Sequence, residues 1–167
     1  RVSPPRAPEP AAAQQAAAAR VPSRMAFPAD FPVGFTPYGH ETVADQRIVQ
    51  VRYANAVAWA AMRADRALPE GSIIIAANHA LERGAHGEPL AGPVTSYVGM
   101  QSGPGWGDEV PPLLRNGHWH YGFWSATRES RLGGQHAQCL ACHRPLARDD
   151  HLFSAAQFRA AAGLAPR

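Results

Sequence analysis

The feature that most constrains this chain is a five-residue run, Cys139-Leu140-Ala141-Cys142-His143. It holds the only two cysteines among 167 residues. A disulfide framework is therefore excluded. The C-x-x-C-H pattern is that of covalent c-type haem attachment. Each thiol adds across one porphyrin vinyl group, and two intervening residues let the backbone curl so that both thioethers reach adjacent pyrrole rings. The histidine that follows falls under the iron, where its imidazole is the proximal ligand. Cys139, Cys142 and His143 are thus the expected cofactor-binding residues for one covalently held haem c, with His143 on the metal. Two other chemistries use paired cysteines. A redox dithiol opens a helix after a strand near the start of a βαβ unit, whereas this pair follows a Gly-Gly-Gln-His stretch late in the chain. A zinc site needs two more ligands, and no second cysteine pair exists. The machinery that forms thioethers works outside the bacterial cytoplasmic membrane, so a periplasmic or otherwise exported location is expected.

The length suits one domain, which usually takes about 100–200 residues. Charge is unevenly placed. Arg1, Arg6, Arg20 and Arg24 against Glu9 account for the whole net charge of +3, leaving residues 25–167 neutral. A nucleic-acid binder needs a basic face on the fold itself, so that class is set aside. The hydrophobic fraction of 46% argues against wholesale disorder. No apolar run is long enough to span a bilayer, so membrane association is expected only through a tail or a partner. Residues 1–24 are Pro-rich and then Ala-rich, the composition of a flexible tail or linker. The Ala11–Ala19 stretch has the propensity for a short helix. This segment reads as a spacer, or as an arm that docks on a complex or an anchor.

Periodicity sketches the rest. Phe27, Phe31 and Phe35 interleave with Pro28, Pro32 and Pro37, which reads as extended or turning chain. Arg47–Tyr53 alternates as a strand, Asn55 is a candidate cap, and Ala56–Leu68 carries strong helix formers with one apolar face. Ser72–Ala77 holds three consecutive isoleucines, a buried strand. Pro93–Gln101 and His118–Ala126 read as two further strands, separated by a Gly/Pro-rich loop. From Arg131 the pattern leaves the sheet, and Ala155–Leu164 reads as a closing helix. The expected fold is α+β: an antiparallel β-sheet of about four to five strands, an inserted helix and a C-terminal haem c attachment segment. The haem domain is expected to occupy residues 25–167.

Several blocks resemble the cytochrome P-460 family, which includes the cytochromes c′-beta. They are Phe31-Pro32-Val33-Gly34-Phe35, Tyr53-Ala54-Asn55, Pro69-Glu70-Gly71-Ser72-Ile73-Ile74, Asn116-Gly117-His118-Trp119-His120-Tyr121 and, after the cysteine motif, Asp150-His151-Leu152-Phe153. The resemblance covers residues 27–154. It implies an antiparallel sheet carrying one haem c, a homodimer, and a five-coordinate iron with an open distal side. Two departures bear on function. Hydroxylamine-oxidising members bond a lysine to the porphyrin, and this chain has no lysine. They also place a glutamate in the distal pocket. One alignment puts Gly122 there and another, less favoured, puts Glu109 near it. The favoured alignment leaves an apolar pocket without a base, suited to NO or CO as in the c′-beta branch.

Candidates for the distal pocket are Tyr53, Tyr97, Met100, Trp119, Tyr121 and Phe123. Met100 and His120 are weighed as sixth iron ligands against core or hydrogen-bonded roles. Arg128, Arg131 and Arg144 flank the haem segment, with surface charge as the plainer reading. Three functions compete. The first is a five-coordinate cytochrome that binds NO or a similar gas. The second is an electron-transfer haem subunit of a larger membrane-associated complex, working with a redox partner protein. The third is an oxidoreductase for hydroxylamine or NO, weakened by the missing lysine.

Overall fold

A computed structural model describes residues 21–167. The short Ala helix expected within residues 11–19 lies outside the described residues. Among those described, five strands form one antiparallel sheet in sequence order. They are β1 (Phe35–Val43), β2 (Ile48–Asn55), β3 (Ile73–Arg83), β4 (Pro89–Ser102) and β5 (Trp119–Ser125). Three α-helices accompany them: α1 (Ala56–Arg63), α2 (His136–His143) and α3 (Ala155–Ala161). The α+β reading therefore holds, with the inserted helix between β2 and β3.

β1 is a strand where the sequence reads only as extended or turning chain. Its period is masked by Pro37 and by a register shift between Pro37 and Gly39, and most of its residues are solvated. α1 starts where Asn55 caps it. The Asn55 Oδ1 accepts the backbone N–H of Ala58 at 3.1 Å. The same side chain accepts from Ile73 N (3.1 Å) and donates to the Gly71 carbonyl (2.8 Å), tying the helix start to the entry of β3. The helix stops at Arg63, before the expected Leu68. Asp65 turns left-handed at φ 51°, and the Asp65 and Arg66 N–H groups bond back to Met62 and Ala61.

Side chains alternate across a sheet, so the strand register assigns two faces. On the front, Arg52, Ala76, Val98 and Phe123 form one row and Ala54, Ile74, Met100 and Tyr121 the next. α1, α2 and α3 pack over this face, and Trp59, Met62, Leu140, Leu152 and Phe158 join Ile74, Met100, Trp119 and Tyr121 in one buried cluster. On the back, Ile75, Ala77, Tyr97 and Trp124 pack against Met25 and Phe31, with Phe27, Phe35 and Tyr53 around them. Arg128 stacks over Phe27 at 4.7 Å and donates to the Phe31 carbonyl at 2.8 Å, holding this covering segment down. Docking begins before residue 25. The Ser23 hydroxyl donates to the Tyr121 carbonyl, the Arg24 N–H donates to His120 Nδ1 at 3.0 Å, and the Arg24 guanidinium pairs with Glu109. Each buried Leu, Ile, Val, Met or Phe side chain in the two clusters contributes about 1.5–3 kcal/mol.

Candidate haem site

Between the front of the sheet, the end of α2 and the start of α3 lies a cavity of about 210 Å³ that opens to solvent. His143, the last residue of α2, lines it. Its Nδ1 lies 2.7 Å from the His151 carbonyl oxygen. A carbonyl only accepts, so Nδ1 carries the hydrogen and Nε2 keeps its lone pair. The ring is wedged between Tyr121 (centroids 4.4 Å apart, planes at 34°) and Phe153 (4.8 Å, 73°). Burial pulls its pKa below the ordinary imidazole value, against the upward pull of the His151 carbonyl. A neutral imidazole is the form that binds a metal.

Cys139, Cys142 and His143 stand at i, i+3 and i+4 on α2, on one side of the helix. Neither thiol is in a disulfide; Cys139 is half-buried and Cys142 exposed. Burial pushes the Cys139 thiol upward in pKa. The residue types fit a haem: two unbridged thiols share a helix face with an oriented imidazole that lines the cavity, while the thiols themselves lie outside its lining. Zinc fits less well, because among the described residues no group of three or more His, Cys, Asp or Glu is placed to hold a metal ion.

Asn116 anchors the segment from below. Its Nδ2 donates to the Leu140 carbonyl of α2 (2.9 Å) and to the Tyr121 hydroxyl (3.0 Å). Burial drives the Tyr121 phenol well above its ordinary range, so it stays protonated.

The sheet gives the cavity an apolar wall that includes Ala76 and Val98, and Gln50 and Arg52 also line it. Arg52 is fixed by its neighbours. Its Nε donates to Gln50 Oε1 (3.0 Å), one terminal nitrogen donates to Gln157 Oε1 (3.0 Å), and the other pairs with Glu41. Gln50 donates onward to Asn78 (2.9 Å), which donates to Ser96 (3.0 Å). Three of the five N–H groups of a guanidinium are thus committed. The pocket is not wholly apolar, contrary to expectation. A second polar point is the Tyr38 hydroxyl, 2.7 Å from that of Ser154, with burial pushing the phenol up to about 12.

Of the residues singled out from the sequence, His143, Met100 and Tyr121 line the cavity. Tyr121 backs the imidazole instead of capping the far side, since 4.4 Å between their centroids leaves no room for a porphyrin. Phe123 is on the same face beyond Val98, and Trp119 is in the front core; neither lines the cavity. Tyr53 and Tyr97 point to the back, because they are one residue out of phase with Arg52 and Val98. His120 is fully buried with both nitrogens used, by Arg24 N and by the Trp106 carbonyl at 3.0 Å. Gly122 also faces back, where a side chain would meet the Trp124 ring, and Glu109 is half-exposed beside Arg24. Neither brings a carboxylate to the cavity. Arg128 serves the back cluster, and Arg131 pairs with Glu129 at 3.2 Å on the surface. Arg144 is exposed and caps α2 through its N–H to the Leu140 carbonyl. Tyr38, Gln50, Arg52 and Ser154 were not singled out. The signal for Gln50 and Arg52 was their alternation with Val49, Val51 and Tyr53, which by itself resembles a solvated strand face.

An antiparallel sheet with an oriented imidazole in its front cavity and two unbridged thiols on the same helix has the donor set of a haem-binding α+β protein. The family model for Cytochrome P460 matches residues 28–154, and the chain belongs to that family. No curated protein matches it.

Proposed function

We propose that the protein is an exported mono-haem c-type cytochrome whose iron, held by His143, binds NO or a similar small diatomic ligand. Cys139 and Cys142 would hold the group through thioethers, which is the role the motif gives them. When bound, haem would supply an iron that can take a small diatomic ligand, with His143 as the residue that would hold it. The observation that carries the reading is the asymmetry of the cavity. His143 offers a free Nε2 flanked by two aromatic rings, whereas Ala76 and Val98 in the same lining have no atom that ligates iron. Arg52 keeps two N–H groups beyond those its neighbours take, beside this apolar wall. They favour a ligand that gains partial negative charge. The lining includes no Asp or Glu and the chain no lysine, which weighs against hydroxylamine oxidation.

Met100 favours a second reading. It lies in the cavity as cross-strand neighbour of Tyr121. A thioether on the iron would make the protein an electron carrier, a subunit of a larger complex. The homodimer, the exported location and a docking role for the tail stand as parts of the proposal. Among the described residues no helix is long and apolar enough to cross a membrane. The ferrous absorption spectrum with and without CO or NO decides between the readings. A five-coordinate spectrum that changes on adding either gas is expected. A six-coordinate spectrum indifferent to CO, becoming five-coordinate in Met100→Ala, would establish the electron carrier instead.

A further inference from the structure

Between α2 and α3 the chain makes a tight reversal that the motif chemistry does not require. Asp150 and His151 are both left-handed, at φ 53° and 59°. Successive non-glycine residues in that region carry a cost, and Asp, Asn and His are the side chains that tolerate it best. The reversal is pinned by the His151 N–H, which donates to the Leu146 carbonyl at 2.8 Å. Its result is a reciprocal pair. The His151 carbonyl accepts from Nδ1 of His143 at 2.7 Å, and Nδ1 of His151 donates to the His143 carbonyl at 3.1 Å.

We propose that His151 is a positioning residue for the axial imidazole: the paired hydrogen bonds fix which nitrogen of His143 faces the iron and raise its basicity. The first bond alone sets the tautomer. The second locks the carbonyl that makes it. The His143 carbonyl ends α2, where carbonyls lack partners within the helix, so the His151 ring has an acceptor ready. Turning the His143 ring breaks the first bond, and moving the His151 backbone breaks both. A hydrogen bond donated by a ligating histidine raises its basicity, strengthens the metal bond and favours the more oxidised metal. Loss of the lock therefore weakens the iron–histidine bond and raises the reduction potential. This inference rests on the reading that haem is bound through His143.

The test compares the holoprotein with His151→Gly, His151→Asn and His151→Asp. All three residues tolerate the left-handed turn. Asn alone keeps a donor, its Nδ2, where the His151 Nδ1 stands; Asp puts an acceptor there and Gly nothing. The readouts are the iron–histidine stretching band of the ferrous protein by resonance Raman spectroscopy and the midpoint potential by redox titration. The expected result is a band at lower frequency and a higher potential in His151→Gly and His151→Asp, with His151→Asn close to the parent. Equal values in all four proteins, or an Asn variant displaced as far as the Asp variant, overturn the proposal. If the Gly variant yields no holoprotein, the Asn–Asp contrast carries the same decision. A six-coordinate parent refutes the open-site reading, while the potentials still decide this one. A parent without haem on His143 overturns both.

Discussion

Asn116→Ala tests how the haem segment is held against the sheet. Asn116 is 1% exposed, and its Nδ2 alone connects the Leu140 carbonyl of α2 with the Tyr121 hydroxyl that backs His143. The amide orientation is dictated by its partners, because a carbonyl oxygen cannot donate. Truncation removes two hydrogen bonds, each contributing about 1 kcal/mol net. The Leu140 carbonyl keeps one partner, the Arg144 N–H, which limits the cost on that side. The small void left by the amide adds to the loss, for a total of about 2–3 kcal/mol. For a chain of this size that corresponds to roughly 5–10 °C in Tm. Asn116→Asp is expected to lose more than the alanine variant at neutral pH, since it sets a carboxylate oxygen against the Leu140 carbonyl without a donor. The assay is thermal unfolding of the holoprotein by circular dichroism, with the haem Soret band followed in parallel. A melting temperature within about 1 °C of the parent for the alanine variant, or an aspartate variant as stable as the parent, would refute the donor role.

Three further outcomes follow from buried groups. Tyr38 has a folded pKa of about 12 against an ordinary value of 10.0, chiefly through burial. Its contribution is therefore complete below pH 10 and is lost as pH rises toward 12, by up to about 3 kcal/mol. Denaturant unfolding at pH 8 to 11.5 should show a steeper decline in the parent than in Tyr38→Phe, and parallel curves would contradict this. His136, whose Nε2 accepts the Tyr121 N–H at 3.2 Å, is held down to about 4 from 6.5, mainly by burial. Its contribution is present above pH 6.5 and is lost as pH falls toward 4, by at most about 3 kcal/mol. His136→Gln, which keeps an acceptor but does not titrate, should flatten that acid limb; an unchanged limb refutes the assignment. Gly107→Ala drives a methyl group into the Gly117 backbone carbonyl, which has no side-chain freedom with which to yield. A loss above about 2 kcal/mol is expected by urea unfolding, and a near-neutral variant contradicts the close approach.

Some of this architecture was legible because a single local rule governed it. Asn55 was recognisable as a cap from its position before a helix-forming run, and it caps α1. The three isoleucines of β3 and the alternation of β5 marked strands because both faces of this sheet are covered. β1 escaped because its residues are mostly solvated and its pairing is broken at Tyr38, leaving no period to detect. The candidate site was legible only at Cys139, Cys142 and His143, where the C-x-x-C-H spacing stands in the sequence. Which face of the sheet the cavity occupies is decided by where α2 and α3 pack. No periodicity within β2 or β4 could therefore choose Arg52 over Tyr53, or Val98 over Tyr97. The hydrogen bond from His143 to His151 depends on two left-handed residues in succession, a backbone choice that the side-chain pattern does not display.

The central claim is a haem bound through sulfur at Cys139 and Cys142. The most direct measurement is the intact mass of the acid-denatured protein, purified with its colour, beside that of the double variant Cys139→Ala, Cys142→Ala. The parent is expected to retain the mass of one haem after denaturation, and the double variant to show only its polypeptide mass. A parent that loses its pigment to acid–acetone and weighs as a bare chain would contradict the account.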